Sequence, residues 1–149
     1  MKIDSSAFKN GEFIPEKYSY EGTNVSPPLA FHSVPKGTKS FALIVDDPDA
    51  PMGTFVHWLA WNIPAEIKGL PEGVVLAEQG KNGYKNVRYG GPCPPPGAPH
   101  RYFFKLYALD SLLTLPQGAL KSKIEKAMEG HILAKAELVG LFQKHNLEK

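Results

Sequence analysis

The chain has 149 residues, with 17 Lys and Arg against 15 Asp and Glu, so its formal charge is only +2. A chain of that length buries roughly 68–70% of its unfolded surface, enough for one substantial core and not for a second, so residues 1–149 are read as a single domain. Scattered basic residues, without a dense block or an aromatic-basic repeat, argue against nucleic acid as a partner, and the single cysteine, Cys93, excludes an intrachain disulfide or a Cys-rich metal framework.

The first forty residues alternate short apolar pieces with turn chemistry: Asn10-Gly11, Glu21-Gly22-Thr23-Asn24, Ser26-Pro27-Pro28 and Pro35-Lys36-Gly37. That punctuation predicts short strands and loops, with Asn10-Gly11 as a tight hairpin turn. The opening Met1–Phe8 has no apolar signal region and no later run is long enough to span a bilayer, so a cytoplasmic protein is expected.

Phe41-Ala42-Leu43-Ile44-Val45 is continuously apolar and predicts a strand buried on both faces. Asp47-Pro48-Asp49-Ala50-Pro51 follows. Two prolines remove backbone donors and fix φ, so the loop is stiff and holds two carboxylates at the strand's end. Val56 to Asn62 reads as a second strand, with His57, Leu59 and Trp61 on one face and Trp58 and Ala60 on the other. Val74-Val75-Leu76 suggests a brief strand. The stretch 80–86 is a polar, glycine-bearing loop that either folds over a pocket or simply connects strands.

Between Tyr89 and Tyr102 stand five prolines and three glycines, a composition that also suits a disordered linker. Because the apolar run Tyr102–Leu109 follows at once, the better reading is a stiff loop delivering His100 onto a central strand. Leu120, Ile124, Ala127 and Met128 share one helical face, and Gly130 is placed to end that helix. Residues 132–139 fit helix or strand equally, and Gln143 to Lys149 is a polar tail expected to fray.

Asp47, Asp49, His57 and His100 form the polar set placed at strand ends on rigid loops. No His-x-His or His-Glu-x-x-His pair suggests a metal, no Gly-x-Ser-x-Gly suggests a serine hydrolase, and no motif calls for a cofactor. Cys93 beside His100 is a weak nucleophile candidate, flanked as it is by prolines. Acid–base chemistry is open to these side chains, although no substrate suggests itself. An anion pocket fits them better, with a condition: a carboxylate repels phosphate, so Asp47 or Asp49 must orient or protonate a histidine or carry the proton itself, and histidines near neutrality then donate to the ligand. Backbone N–H groups at Gly90 and Gly91 are expected to add a small nest.

These residues carry a resemblance. Asp47-Pro48-Asp49-Ala50-Pro51 with His57, then Gly91-Pro92-Cys93-Pro94-Pro95 and His100-Arg101-Tyr102, closely resemble the phosphatidylethanolamine-binding protein family, also called Raf kinase inhibitor-like proteins. Gly22 to Leu29 and Ala134 to Gly140 resemble it too, so the likeness covers nearly the whole chain. It implies a mainly β fold of two packed antiparallel sheets with a few short helices near the C-terminus. It also implies a cis bond before Pro51 and a pocket for phosphate or a phospholipid headgroup. By motif position Asp47, Asp49, His57, Gly91, Pro92, His100 and Tyr102 would line or support that pocket. The shorter bacterial and archaeal branch is the nearer match, and its members are often two-chain assemblies.

The resulting expectation is a non-catalytic, small-anion-binding protein that regulates or inhibits a partner such as a protease or kinase. Two rival readings stand beside it: a serine protease inhibitor acting through a surface loop independent of the pocket, and an enzyme acting on a small phosphorylated compound.

Overall fold

Strand β3 (Ser40–Asp47) is the axis of the molecule, and all eight of its residues are buried. The computed structural model, which describes residues 1–144, places β3 inside a four-stranded antiparallel sheet. Its neighbours are β4 (Phe55–Pro64) and β6 (His100–Leu109), and β7 (Ile132–Phe142) lies beyond β6. A smaller antiparallel sheet is built from β1 (Lys2–Asp4), β2 (Leu29–His32) and β5 (Gly69–Leu70), with β2 in the middle.

Alternation along β3 divides the core in two. Phe41, Leu43 and Val45 face the smaller sheet and pack with Ile3, Leu29, Phe31 and Leu70. Ala42 and Ile44 face the other way, against Leu59, Trp61 and the helix α1 (Lys121–Met128), which contributes Ile124 and Met128. Each such large apolar side chain contributes roughly 1.5–3 kcal/mol when fully buried. A strand covered on both sides explains the unbroken apolar run in the sequence.

Helical structure among the described residues is limited to α1, which precedes the last strand, and a 3₁₀ turn at Glu16–Tyr18. Gly130, at φ +81°, ends the α1 segment as expected. Residues 132–139, ambiguous in sequence, belong to β7, where Ala136, Leu138 and Phe142 are buried at alternate positions and pair along β6. No helix among the described residues is long and apolar enough to cross a membrane.

Three local expectations are corrected. Residues 74–76 form no strand: Val74 and Leu76 pack against the core while Val75 stays exposed. The Asn10-Gly11 turn exists, closed by Glu12 N–H to Lys9 O, but it joins no hairpin. Its flanks instead bond to the outer edge of β7, through Gly11 N–H to Val139 O and Ile14 N–H to Leu141 O. The bond before Pro51 is trans. Pro51 occupies the second position of a turn closed by Gly53 N–H to Ala50 O, where trans proline supplies the required φ. Of the polar tail, Gln143 donates to Gly97 O at 2.7 Å, and residues 145–149 lie outside the described residues.

Candidate functional site

The end of β3 splits two adjacent acids between its faces. Asp46 points to the helix side, where its Oδ2 accepts from Lys121 Nζ at 2.8 Å and Lys105 Nζ at 3.3 Å. Asp47 points to the other side and is 3% exposed. Both of its oxygens are occupied: Oδ1 accepts the Asp49 N–H at 2.7 Å, and Oδ2 faces His100 Nδ1 at 2.7 Å. An ionised carboxylate only accepts, so the bond assigns the proton to His100 Nδ1. His100 Nε2 then accepts in the neutral ring or donates in the cation.

Asp49 turns away from this cluster. Its carboxylate binds Arg101 three times, at the backbone N–H (3.0 Å), Nε (2.9 Å) and Nη2 (2.8 Å). The guanidinium hydrogen bonds hold its pKa at about 2, well below the usual carboxylate range. This clamp fastens the proline loop to the first residues of β6, so Asp49 supports the site without lining it.

His57 reaches the site by a register irregularity. Val45 pairs with Trp58 and Asp46 with Val56, leaving His57 as an extra, unpaired residue on β4. Such a bulge breaks the alternation and re-aims a side chain. His57 therefore does not share a face with Leu59 and Trp61, as strict alternation predicts; its ring lies 5.2 Å from that of Tyr102, on the side of Trp58. Nδ1–H donates to Gly90 O at 2.7 Å, and Gly90 N–H returns a bond to His57 O at 2.9 Å. Burial pushes the His57 imidazole below its ordinary pKa, outweighing the Gly90 bond and the Asp47 charge that favour its cation. The neutral ring is thus favoured at His57 and its one N–H is spent on Gly90, contrary to the expectation that the histidines donate to the ligand.

Tyr102, on β6 two residues beyond His100, is 1% exposed, and its hydroxyl has no hydrogen-bond partner. Burial and the neighbouring Asp47 charge hold its proton on. Tyr84 closes another side, with its hydroxyl donating to Gly91 O at 2.7 Å and its ring set edge-on to Phe55 at 4.9 Å.

These side chains enclose a cavity of about 170 Å³, lined by Asp47, Ala50, Pro51, Phe55, His57, Tyr84, Cys93, Pro94, Pro95, His100 and Tyr102. It is smaller than the roughly 300–1,000 Å³ that encloses a drug-sized molecule, so it suits a headgroup-sized ligand. Wider grooves elsewhere, such as one along Lys2 to Asn10, lack this convergence of buried polar groups.

Of the candidates read from sequence, Asp47, His57, His100 and Tyr102 meet in this cavity, while Asp49, Gly91 and Pro92 stand behind it. Gly91 N–H donates to Asn24 Oδ1 at 2.8 Å, and Gly90 N–H is used by His57, so the expected backbone nest does not form. These glycines instead permit close packing: a Cβ on Gly91 would lie 2.2 Å from Tyr18 O. Cys93 lines the cavity, but burial pushes its thiol pKa up, which weakens the case for a nucleophile. Sequence reasoning missed Phe55 and Tyr84 as wall residues. The available signal was Asn82-Gly83 in the 80–86 loop, where Asn82 Oδ1 accepts from Tyr84 N–H and Asn86 N–H, and Gly83 admits the Phe55 ring.

Fold and site together define a class: a two-sheet β domain with a polar-floored cavity at the end of its central strand. The sequence profile of the phosphatidylethanolamine-binding protein family matches residues 4–143, and the chain belongs to that family. A UPF0098 protein of Pyrococcus horikoshii is 49% identical, over 94% of this chain and 75% of the relative. A UPF0098 protein of Methanothermobacter thermautotrophicus is 46% identical, over 97% of this chain and 99% of the relative. Among solved structures, a Chlamydia trachomatis protein described as a phosphatidylethanolamine-binding protein homologue matches with a TM-score of 0.92 at 43% identity, covering 97% of both chains. Escherichia coli YbcL, described as a member of the mammalian phosphatidylethanolamine-binding protein family, matches at 0.89 and 32% identity, covering 97% of this chain and 98% of its own.

Proposed function

We propose that this chain is a non-catalytic binding protein whose cavity takes a small anion, phosphate or a phosphorylated headgroup. In this reading it acts in the cytoplasm as a regulator or inhibitor of a partner such as a protease or kinase. The observation that carries the reading is the convergence of unpartnered polar atoms from His57, His100 and Tyr102 around a carboxylate whose own oxygens are both occupied. Asp47 therefore meets the ligand through His100, whose ring it orients by holding Nδ1. The Tyr102 hydroxyl, left without a protein acceptor, finds one in an anionic oxygen.

Calorimetry with inorganic phosphate tests this. His57→Ala, His100→Ala and Tyr102→Phe should each weaken binding about tenfold or more, the scale of one hydrogen bond to a charged group. Unchanged affinity in all three variants refutes the reading. Turnover of a phosphorylated compound, abolished by Asp47→Asn, would make the protein an enzyme instead.

A further inference from the structure

The polar atoms that meet in the cavity are not interchangeable, and their roles follow from what they touch. A carbonyl oxygen only accepts, so the His57 Nδ1 that faces Gly90 O at 2.7 Å carries the proton. A neutral imidazole has one N–H, so Nε2 presents a lone pair on a residue that lines the cavity. Protonating Nε2 as well would create a cation in a residue only 4% exposed. Tyr102 is opposite in sense: its buried, unpartnered hydroxyl has a proton to give. The two rings pack edge to face, 5.2 Å between centroids, and both residues line the one cavity.

From this pairing we infer that the cavity selects a phosphate that still carries a P–O–H group, inorganic phosphate or a phosphomonoester monoanion, over a phosphodiester or a sulfate. The inference rests on the anion-binding reading above and narrows it. A P–O–H phosphate offers oxygens to Tyr102 and His100 and a hydroxyl proton to His57 Nε2. A diester or a sulfate brings acceptors alone, and its anionic oxygen then faces the His57 lone pair with no proton between them. An acceptor left unmet in a buried site costs on the order of tenfold to a hundredfold in affinity. The phosphate of a glycerophospholipid headgroup is a diester, so the same device separates a lipid source from a free phosphate or monoester.

Calorimetry with two charge-matched pairs tests the inference on the full chain. Methyl phosphate and dimethyl phosphate both carry close to one negative charge at a pH of about 5, a full unit below the second phosphate pKa of about 6. Inorganic phosphate and sulfate form the second pair, near a pH of about 8, where inorganic phosphate keeps its last proton. Dimethyl phosphate and sulfate are expected to bind at least about tenfold more weakly than their partners. In ¹⁵N spectra, His57 Nε2 should be a bare ring nitrogen in the free protein and a hydrogen-bonded but unprotonated one with phosphate. Equal affinity within each pair, or a protonated Nε2 in the complex, overturns the inference and leaves anion binding standing. Failure of all four ligands to bind removes both. His57→Leu keeps the side-chain bulk without the lone pair and should bring the members of each pair together; discrimination that survives it overturns the assignment to His57. Should that variant not fold, the ligand pairs and the nitrogen spectrum of the unaltered chain decide.

Discussion

At the scale of single residues, the site is a study in which atom of a titratable group is already engaged. His57 spends Nδ1 on Gly90, His100 spends Nδ1 on Asp47, and Asp47 spends both oxygens. The His57 shift has a consequence for stability with a definite sign. Its folded pKa lies below the ordinary value, so the unfolded chain takes up that proton first as pH falls. The stability it confers is fully present above a pH of about 6.5 and is lost as pH falls toward the lowered folded pKa, by at most about 1.4 kcal/mol per pH unit. His57→Phe should remove that component of the slope, which urea unfolding at several pH values between about 7.5 and 5 would measure. An unchanged slope would mean that burial does not control this imidazole. The sequence made these residue identities legible because prolines and strand ends flag them. It could not show which nitrogen was committed, since that depends on Gly90, 33 positions away.

At the scale of elements, β3 and its proline loop were readable because both signals are local: a continuous apolar run, then two residues that cannot extend a sheet. The bulge on β4 was not readable. Register is a property of two strands, and nothing in the letters around His57 marks the place where β3 and β4 fall out of step. Asp46 and Asp47, adjacent on β3, serve opposite faces, as the alternation of a strand requires. Asp46 joins the helix layer to the sheet by accepting from Lys121, the first residue of α1, and from Lys105 on β6. Asp46→Asn should therefore destabilise the protein by about 1–3 kcal/mol. That is below the 3–5 kcal/mol seen when a fully buried pair is broken, because both lysines retain some access to water. Chemical denaturation measures the loss, and the phosphate affinity of the folded variant should hardly change. A large fall in affinity would show that the two faces of β3 are coupled.

At the scale of the whole molecule, one pocket at the end of the central strand ties ligand occupancy to global stability. A ligand that binds only the folded state at a hundredfold excess over its Kd adds about 2.7 kcal/mol. For a domain of this size that amounts to a rise of about 5–10 °C in Tm. Saturating inorganic phosphate should produce such a rise, and the double variant His57→Ala with His100→Ala should show none. A comparable rise in the double variant would place the bound anion elsewhere. The outline of the fold was legible from motifs in both halves of the chain. The closing wall around Tyr84 was not, because a glycine-bearing loop takes its shape from what it lands on, here the Phe55 ring.

The surplus residue on β4 works as a half-step in a staircase. Excise Val56 and the pleat runs unbroken: the imidazole takes the vacated step and swings toward α1, Thr54 and Phe55 keep their sides, and every apolar tread from Trp58 onward stays where it was. The domain would keep its core and forfeit its receptor, so one codon's worth of chain separates a furnished chamber from an inert sandwich.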